Sequence, residues 1–239
     1  MKGISVIKSD DKGISKNLRL DKYIANSRAG SRSEVKEYIR KGCVTVNGEV
    51  CHDSSYHVKE TDEVCLKGQK IVYKKHVYYM LNKPSGVVSA TEDPVERTVI
   101  DLFPAELRKG LFPVGRLDKD SVGLIIVTDD GEYAHRLTSP SGHVDKRYLI
   151  RTDLPLSEED AKKFSEGITL ADGTALKSAK LEISPDDPCR AEVTISEGKY
   201  HQIKRMIASC GKKVIYLKRI SMGDIVLDPD LEEGQYKEL

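Results

Sequence analysis

Apolar residues near the start of the chain follow a helical spacing and then a strand spacing. Their intervals predict one short helix from about residue 20 and a second that begins after Ser31. Ser31 and Glu34 have the spacing of a capping box, and Gly42 ends the second helix. Three valines then alternate around the Asn-Gly pair at 47–48, a strong hairpin signal. The pattern predicts two helices followed by a β-hairpin.

Strand patterns are frequent in the rest of the chain. Residues 76–81 predict a strand, and 87–89 are expected to resume the sheet after the turn that follows. The fully apolar segment 124–127, bounded by glycine and turn residues, predicts a central strand. Residues 148–150 predict another strand, and 191–195 alternate apolar and polar side chains, as in a strand with one buried face.

Helical patterns lie between these strands without a regular alternation. We predict helices at 132–138, between Ser157 and Gly167, and at 203–210 with Gly211 as the stop. Because the strict β-α-β order of a parallel sheet is missing, we expect an α+β fold with a mixed, mainly antiparallel sheet. The predicted organisation is an N-terminal extension at 1–17, a small α/β domain at 18–67, a polar linker at 68–75 and a larger domain at 76–239.

Composition limits the class of protein but not its activity. The formal charge of the 239 residues is +1, so bulk charge does not indicate a nucleic-acid partner. The five cysteines lack metal-binding spacing, and their scatter favours reduced thiols in a reducing compartment. No apolar run approaches the roughly 20 residues of a membrane span, and the first 17 residues lack a signal-peptide core. We therefore expect a cytoplasmic protein with no membrane partner.

Basic residues cluster in the first domain. Arg32, Lys36 and Arg40 recur at every fourth position and so share one side of the second predicted helix. Further cations nearby are Arg19, Lys22 and Arg28. Two interpretations remain open: a solvated helix face, or a surface that contacts nucleic-acid phosphates.

Two segments of the larger domain carry candidate chemistry. Asp118 ends a Gly-Arg-Leu-Asp sequence just before the central strand, where a loop can hold a carboxylate rigidly. Aspartate is also an ordinary turn residue, and other aspartates lie close by. The segment 198–205 places four basic side chains at the start of a helix, where the helix dipole favours a bound anion. An exposed basic loop is the alternative.

The first domain resembles the S4 RNA-binding domain over roughly residues 18–66. The similarity lies in Leu-Arg-Leu-Asp-Lys-Tyr-Ile at 18–24, Ser-Arg-Ser-Glu at 31–34 and Val-Thr-Val-Asn-Gly at 44–48. This resemblance implies an RNA-binding module whose cations contact the RNA backbone.

The larger domain resembles the pseudouridine synthases. The matching motifs are Asn-Lys-Pro-Ser-Gly at 82–86, Gly-Arg-Leu-Asp at 115–118, Thr-Asp-Asp-Gly at 128–131, Lys-Arg-Tyr at 146–148 and the basic segment 197–206. Within the family, Tyr-His-Gln-Ile-Lys-Arg-Met at 200–206 is similar to the RsuA subgroup, which modifies 16S ribosomal RNA. That resemblance implies uridine 516, in standard numbering, as the target.

The resemblance implies isomerisation of uridine without a cofactor or a metal. Asp118 is the expected catalytic carboxylate, and it either attacks C1′ or takes a proton from C2′. Lys204 is its expected basic partner, with Arg205 as the alternative, and Tyr148 is expected to stack on the target base. Further expected substrate-binding residues are Arg116, at the gap left by the base, Ile203 against the base, Arg205, Gln202, and Lys83 on a phosphate.

The expected partner is 16S RNA in an assembling small subunit, bound by a monomeric enzyme. Two rival functions stay open at this point. One is a non-catalytic RNA-binding or assembly factor with the same fold. The other is a hydrolase that uses paired carboxylates, such as Asp118 and Asp120.

Overall fold

A computed structural model describes residues 18–27, 29–73, 75–139 and 142–239. Two features of the sequence analysis, Arg28 and the extension at 1–17, lie outside the described residues. The chain divides into two compact units. One comprises residues 18–77 and 104–109, and the other comprises Tyr78–Phe103 and Gly110–Leu239. No helix in the described ranges is long and apolar enough to cross a membrane.

The first unit contains two helices and six short strands in its described part. In chain order they are β1 (Leu18–Arg19), α1 (Leu20–Asn26), α2 (Arg32–Arg40), β2 (Val44–Val46), β3 (Glu49–Val50), β4 (His57–Val58), β5 (Val64–Leu66) and β6 (Gln69–Lys70). Four strands form an antiparallel sheet in the order β3-β2-β5-β6, while β1 pairs with β4.

Local chemistry explains these elements. Ser31 and Glu34 form the predicted capping box at the start of α2, with the side chain of each accepting from the backbone N–H of the other. Asn47 and Gly48 both have positive φ, as a two-residue hairpin turn requires. The apolar faces of α1 and α2 pack with the inward valines of β2 in one core. The predicted two helices and hairpin are confirmed.

The predicted linker at 68–75 is wrong for most of its length. Lys67 and Gly68 adopt positive φ and form a second tight turn, after which β6 pairs with β5. Tyr73 packs against the core of the first unit, with its ring stacked on Tyr23 at a centroid distance of 5.4 Å. A polar two-residue strand has no hydrophobic period, so its place in the sheet depends on pairing that the sequence pattern does not report.

The second unit is built on a large mixed sheet. Its described elements are β7 (Tyr78–Lys83), a 3-10 turn (Ile100–Leu102), β8 (Phe112–Val114), β9 (Val122–Thr128), α3 (Gly131–Thr138), β10 (Lys146–Thr152), α4 (Glu158–Glu166), β11 (Ile168–Thr169), β12 (Ala175–Leu176), β13 (Lys180–Ile183), β14 (Arg190–Ile195), α5 (Gln202–Ser209), β15 (Val214–Met222), β16 (Ile225–Val226) and β17 (Tyr236–Glu238).

The strand order of this sheet confirms the predicted α+β class. Nine strands of the described chain take part, in the order β13-β14-β10-β15-β9-β7-β17, with β8 on β9 and β16 on β15. The pair β9–β15 is parallel, and the other ladders described for this sheet are antiparallel. Every residue of β9 is buried, as predicted for a central strand.

Residues 87–89 do not resume the sheet. Val88 forms only an isolated bridge with Thr98. Ser89 instead supports a loop, because its hydroxyl accepts from the N–H of Leu117 at 3.0 Å and donates to the carbonyl of Leu117 at 2.9 Å. The prediction of a strand here was wrong, since short apolar runs do not distinguish a strand from a buried loop.

Gly123 permits the close approach of β9 and β15 beside that loop. Its φ is +99°, and a Cβ at this position would lie 2.3 Å from the carbonyl oxygen of Arg219. Gly173 also has positive φ, at +81°, but a Cβ there would meet nothing within 4 Å. A side chain at Gly173 would therefore add backbone strain alone, whereas one at Gly123 would add strain and a steric clash.

We expect Gly123→Ala to lower the free energy of unfolding by about 3 kcal/mol or more, because it adds a backbone clash to the strain of positive φ. Gly173→Ala, with strain alone, should cost about 1–2 kcal/mol. Urea unfolding of both variants measures the difference. Equal losses would show that the β9–β15 approach does not require glycine.

Candidate active site

Asp118 lies in the loop between β8 and β9. Gly115 turns the chain with φ of +72°, and the hydrogen bonds from Ser89 hold Leu117 on both its N–H and its carbonyl. The N–H of Ser121 donates to the carbonyl of Asp118 at 3.1 Å, which closes the turn. The loop backbone is therefore fixed on both sides of the Asp118 side chain.

Lys204, in the first turn of α5, contacts two carboxylates of this loop. Its Nζ lies 2.9 Å from Asp118 Oδ2 and 2.6 Å from Asp120 Oδ1. Burial alone would lower the pKa of Lys204, but hydrogen bonds and charge from Asp120 and Asp118 outweigh it and raise the pKa. The hydrogen bond from Lys204 lowers the pKa of Asp120. Lys204 is therefore a cation throughout the neutral range.

His201 supplies a second polar contact to Asp118. Its Nε2 lies 3.4 Å from Asp118 Oδ1, and it is the residue that precedes α5. Its φ is +48°, a left-handed conformation that costs a non-glycine residue about 1–2 kcal/mol. Such strain persists where the surroundings impose it, often at functional sites. Sequence reasoning assigned no role to His201 and missed the contact between Asp120 and Lys204.

A small cavity of about 80 Å³ lies beside Asp118. The residues predicted from the sequence that line it are Arg116, Asp118, Tyr148, Gln202, Ile203 and Lys204. Tyr148 and Ile203 are buried and give it an apolar wall, while Arg116 is exposed. The cavity therefore combines a flat apolar surface with a carboxylate that is paired to a cation.

The side chains of Arg205 and Gln202 contact other residues of the second unit. Arg205 forms an ion pair with Asp172, so Lys204 is the one of the two basic candidates that contacts Asp118. The side-chain oxygen of Gln202 accepts from the N–H of Lys199, and its amide nitrogen donates to Glu197. Both side chains therefore support the start of α5.

The position of Lys83 contradicts the role predicted for it from the sequence. Its side chain is fully buried, and Nζ donates to the carbonyls of Pro84, Lys119 and Ser121 at 3.0, 3.2 and 2.7 Å. An ammonium in this position does not reach an RNA phosphate, so the expected phosphate contact is wrong. Lys83 instead ties the end of β7 to the turn that carries Asp118 and Asp120. Burial lowers the pKa of Lys83 to about 8.

The cations predicted for RNA binding in the first unit are accessible. Arg32, Lys36 and Arg40 are exposed on α2, as their spacing predicts. Lys22 is exposed on α1, and Arg19 forms an exposed ion pair with Asp21. Exposure is compatible with both open interpretations of this surface.

Other features of the described chain offer less chemistry. A larger cavity of about 940 Å³ lies along β10, β13, β14 and β15, and charged residues on its wall form surface ion pairs such as Arg147 with Glu192. No group of three or more histidine, cysteine, aspartate or glutamate residues in the described ranges is arranged to hold a metal ion.

The buried ammonium predicts a pH-dependent stability. Because the pKa of Lys83 is near 8 in the folded protein and near 10.4 in an unfolded chain, its burial opposes folding below pH 8. As the pH rises from 8 to 10.5, that cost is relieved. The unfolding free energy of the native protein should therefore rise by about 3 kcal/mol relative to Lys83→Met. Denaturant titrations of both proteins across this range measure it, and a pH-independent difference would contradict it.

Two family profiles and several relatives of known family match this chain. The RNA pseudouridylate synthase family profile matches residues 77–209, and the S4 domain profile matches residues 18–64. An uncharacterized RNA pseudouridine synthase of Bacillus subtilis is 46% identical, covering 93% of this chain and 95% of the relative. Ribosomal small subunit pseudouridine synthase A is 41% identical in Haemophilus influenzae and 39% in Escherichia coli, each covering 93% of this chain and 96% of the relative.

One solved structure of a pseudouridylate synthase is similar to this chain in both sequence and fold. A crystal structure of a pseudouridylate synthase is 41% identical and has a TM-score of 0.66, covering 93% of this chain and 96% of that chain. The family match spans more than half of the sequence and includes the Asp118 loop and the whole of α5. The chain is therefore a member of the RNA pseudouridine synthase family, with an S4 domain at its N-terminal side.

Proposed function

We propose that this enzyme converts a uridine of small-subunit ribosomal RNA into pseudouridine, with Asp118 as the catalytic carboxylate. The observation that carries the proposal is the Asp118–Lys204 ion pair, 2.9 Å long, beside a cavity lined by Tyr148. The names of the relatives at 39–41% identity support a small-subunit substrate.

The reaction needs an ionised carboxylate at the sugar. The N1–C1′ bond breaks, the base turns, and a C5–C1′ bond forms, while C5 loses a proton and N1 gains one. Asp118 starts this sequence by attack on C1′ or by removal of the C2′ proton. In both cases the ion pair with the cation of Lys204 fixes the position of the Asp118 carboxylate.

The cavity walls are suited to a planar base. The ring of Tyr148 stacks on the uracil, a type of contact worth about 1–3 kcal/mol, and Ile203 packs against it. Because a uridine inside folded RNA is not accessible, it is flipped out of the helix at a cost of a few kcal/mol. Arg116 is exposed at the cavity, and we assign it to the gap that the base leaves in the RNA.

The first unit provides the sequence-independent part of RNA binding. Exposed cations at every fourth position of α2 face solvent on one side of the helix. Each phosphate contact releases a counterion, so affinity depends on salt. We extend the proposal to uridine 516 of 16S RNA, modified in the cytoplasm by a monomeric enzyme during subunit assembly. The motif at 200–206 supports this target.

We expect Asp118→Asn to abolish pseudouridine formation while RNA affinity stays within a few-fold. The amide keeps the size of the side chain but removes the charge that both mechanisms require. Turnover is measured on small-subunit RNA transcripts and affinity by filter binding. Asp186→Asn, a change on an exposed loop, is the control and should keep full activity.

Each rival function predicts a different result. Substantial turnover by folded Asp118→Asn would remove this residue from the catalytic role. A non-catalytic assembly factor predicts no product from the native protein. A hydrolase that pairs Asp118 with Asp120 predicts released base or cleaved RNA, whereas the isomerase leaves the mass of the RNA unchanged.

Replacement of Arg32, Lys36 and Arg40 together by glutamine should weaken RNA binding and flatten its dependence on salt. If each side chain contacts one phosphate, the slope of log affinity against log salt falls by about 2–3. Titrations of binding at several salt concentrations measure this slope.

The control removes three exposed lysines of the second unit, Lys162, Lys163 and Lys180, in the same way. These lysines lie on α4 and β13 of the second unit. If the α2 variant keeps the native slope, the cations of α2 are a solvated helix face.

A further inference from the structure

Tyr200 and His201 form an aromatic stack at the start of α5. Their ring centroids are 3.8 Å apart, and their planes differ by 17°. Tyr200 is 75% exposed. One face of its ring lies on the imidazole, so the opposite face is open to solvent. A large aromatic side chain held in this way presents a flat surface without the freedom of an unsupported ring.

The loop that carries the stack is braced on several sides. Gln202 links the N–H of Lys199 to Glu197, and Glu197 also accepts from the N–H of Lys177 at 2.9 Å. The ammonium of Lys199 donates to the carbonyl of Ala175, in β12. These bonds fix the position of Tyr200 before any ligand binds, which reduces the entropy cost of binding.

The stack is next to the proposed reaction centre. The imidazole that supports Tyr200 also contacts Asp118, with Nε2 3.4 Å from Oδ1. Lys199 and Arg116 are exposed cations that line the same cavity. A polyanion that places one base beside Asp118 therefore brings its neighbouring nucleotides to an open aromatic face with positive charge around it.

We propose that Tyr200 is a stacking platform for a base that flanks the target uridine. The proposal rests on the proposed function, since it requires an RNA substrate at Asp118. Stacking on an open ring tolerates any base, because every base has a flat face. Tyr200 would then contribute to binding and to the choice of site, while Asp118 and Lys204 act at the sugar.

The first test compares Tyr200→Ala and Tyr200→Phe on small-subunit RNA transcripts. Loss of the ring should raise KM about tenfold, the change expected from one stacked base, and leave kcat within two-fold. Tyr200→Phe keeps the ring and should behave as the native enzyme. Tyr216→Ala removes another exposed tyrosine, on β15 beside the larger cavity, and should leave KM unchanged.

The second test identifies the stacked nucleotide. Synthetic RNAs that contain the target uridine in its unmodified form are made with one abasic residue at each flanking position in turn. At one position, the abasic change should raise the KM of the native enzyme. The same change should not raise the KM of Tyr200→Ala any further, because both changes remove the same contact. Additive losses at all positions would overturn the platform.

The outcomes separate this inference from the proposed function. If the native enzyme forms pseudouridine and Tyr200→Ala keeps the native KM, the platform is wrong and the proposed function stands. If Tyr200→Phe loses as much as Tyr200→Ala, the hydroxyl and not the ring face is used, which also overturns it. If the native enzyme modifies no ribosomal RNA, both fail.

Discussion

The ion pair of Asp118 and Lys204 depends on two segments that are far apart in the sequence and meet in the second unit. Asp118 comes from the loop before β9, and Lys204 from the first turn of α5. Cations at a helix N-terminus are disfavoured by the helix dipole. Two carboxylates on one loop offset this cost, because the partly buried ammonium contacts both Asp118 and Asp120. The geometry of the site therefore requires the loop and the helix to be fixed independently.

Buried polar groups supply that rigidity. Behind the loop, Lys83 donates to three carbonyls, and the hydroxyl of Ser89 bonds to Leu117 in both directions. At the helix, Gln202 closes the preceding turn while His201 is held at a positive φ. In a low-dielectric interior such satisfied networks hold one arrangement, because each alternative leaves a buried polar group unpaired. These contacts hold the loop that carries Asp118 and the start of α5 in place.

Local signals in the sequence were sufficient to predict much of the fold. The capping box at Ser31, the turn at Asn47 and the apolar strand β9 are each determined by neighbouring residues. Lys83 was misassigned because a lysine is normally exposed. Its burial is possible only because the carbonyls of the distant residues Lys119 and Ser121 converge on it together with that of Pro84. The strand β6 was missed for a similar reason, since its two polar residues gain their role from pairing with β5.

The choice between Asp118 and Asp120 shows what the structure adds to a motif. Both carboxylates contact the same ammonium, and their sequence neighbourhood is shared. Asp120 is 72% exposed, whereas Asp118 is 26% exposed, lines the cavity with Tyr148 and is also contacted by His201. Electrostatic control of a carboxylate is stronger where solvent screens it less. The environment therefore distinguishes the two aspartates: Asp118 faces the cavity lined by Tyr148, and the more exposed Asp120 contacts Lys204 from the solvent side.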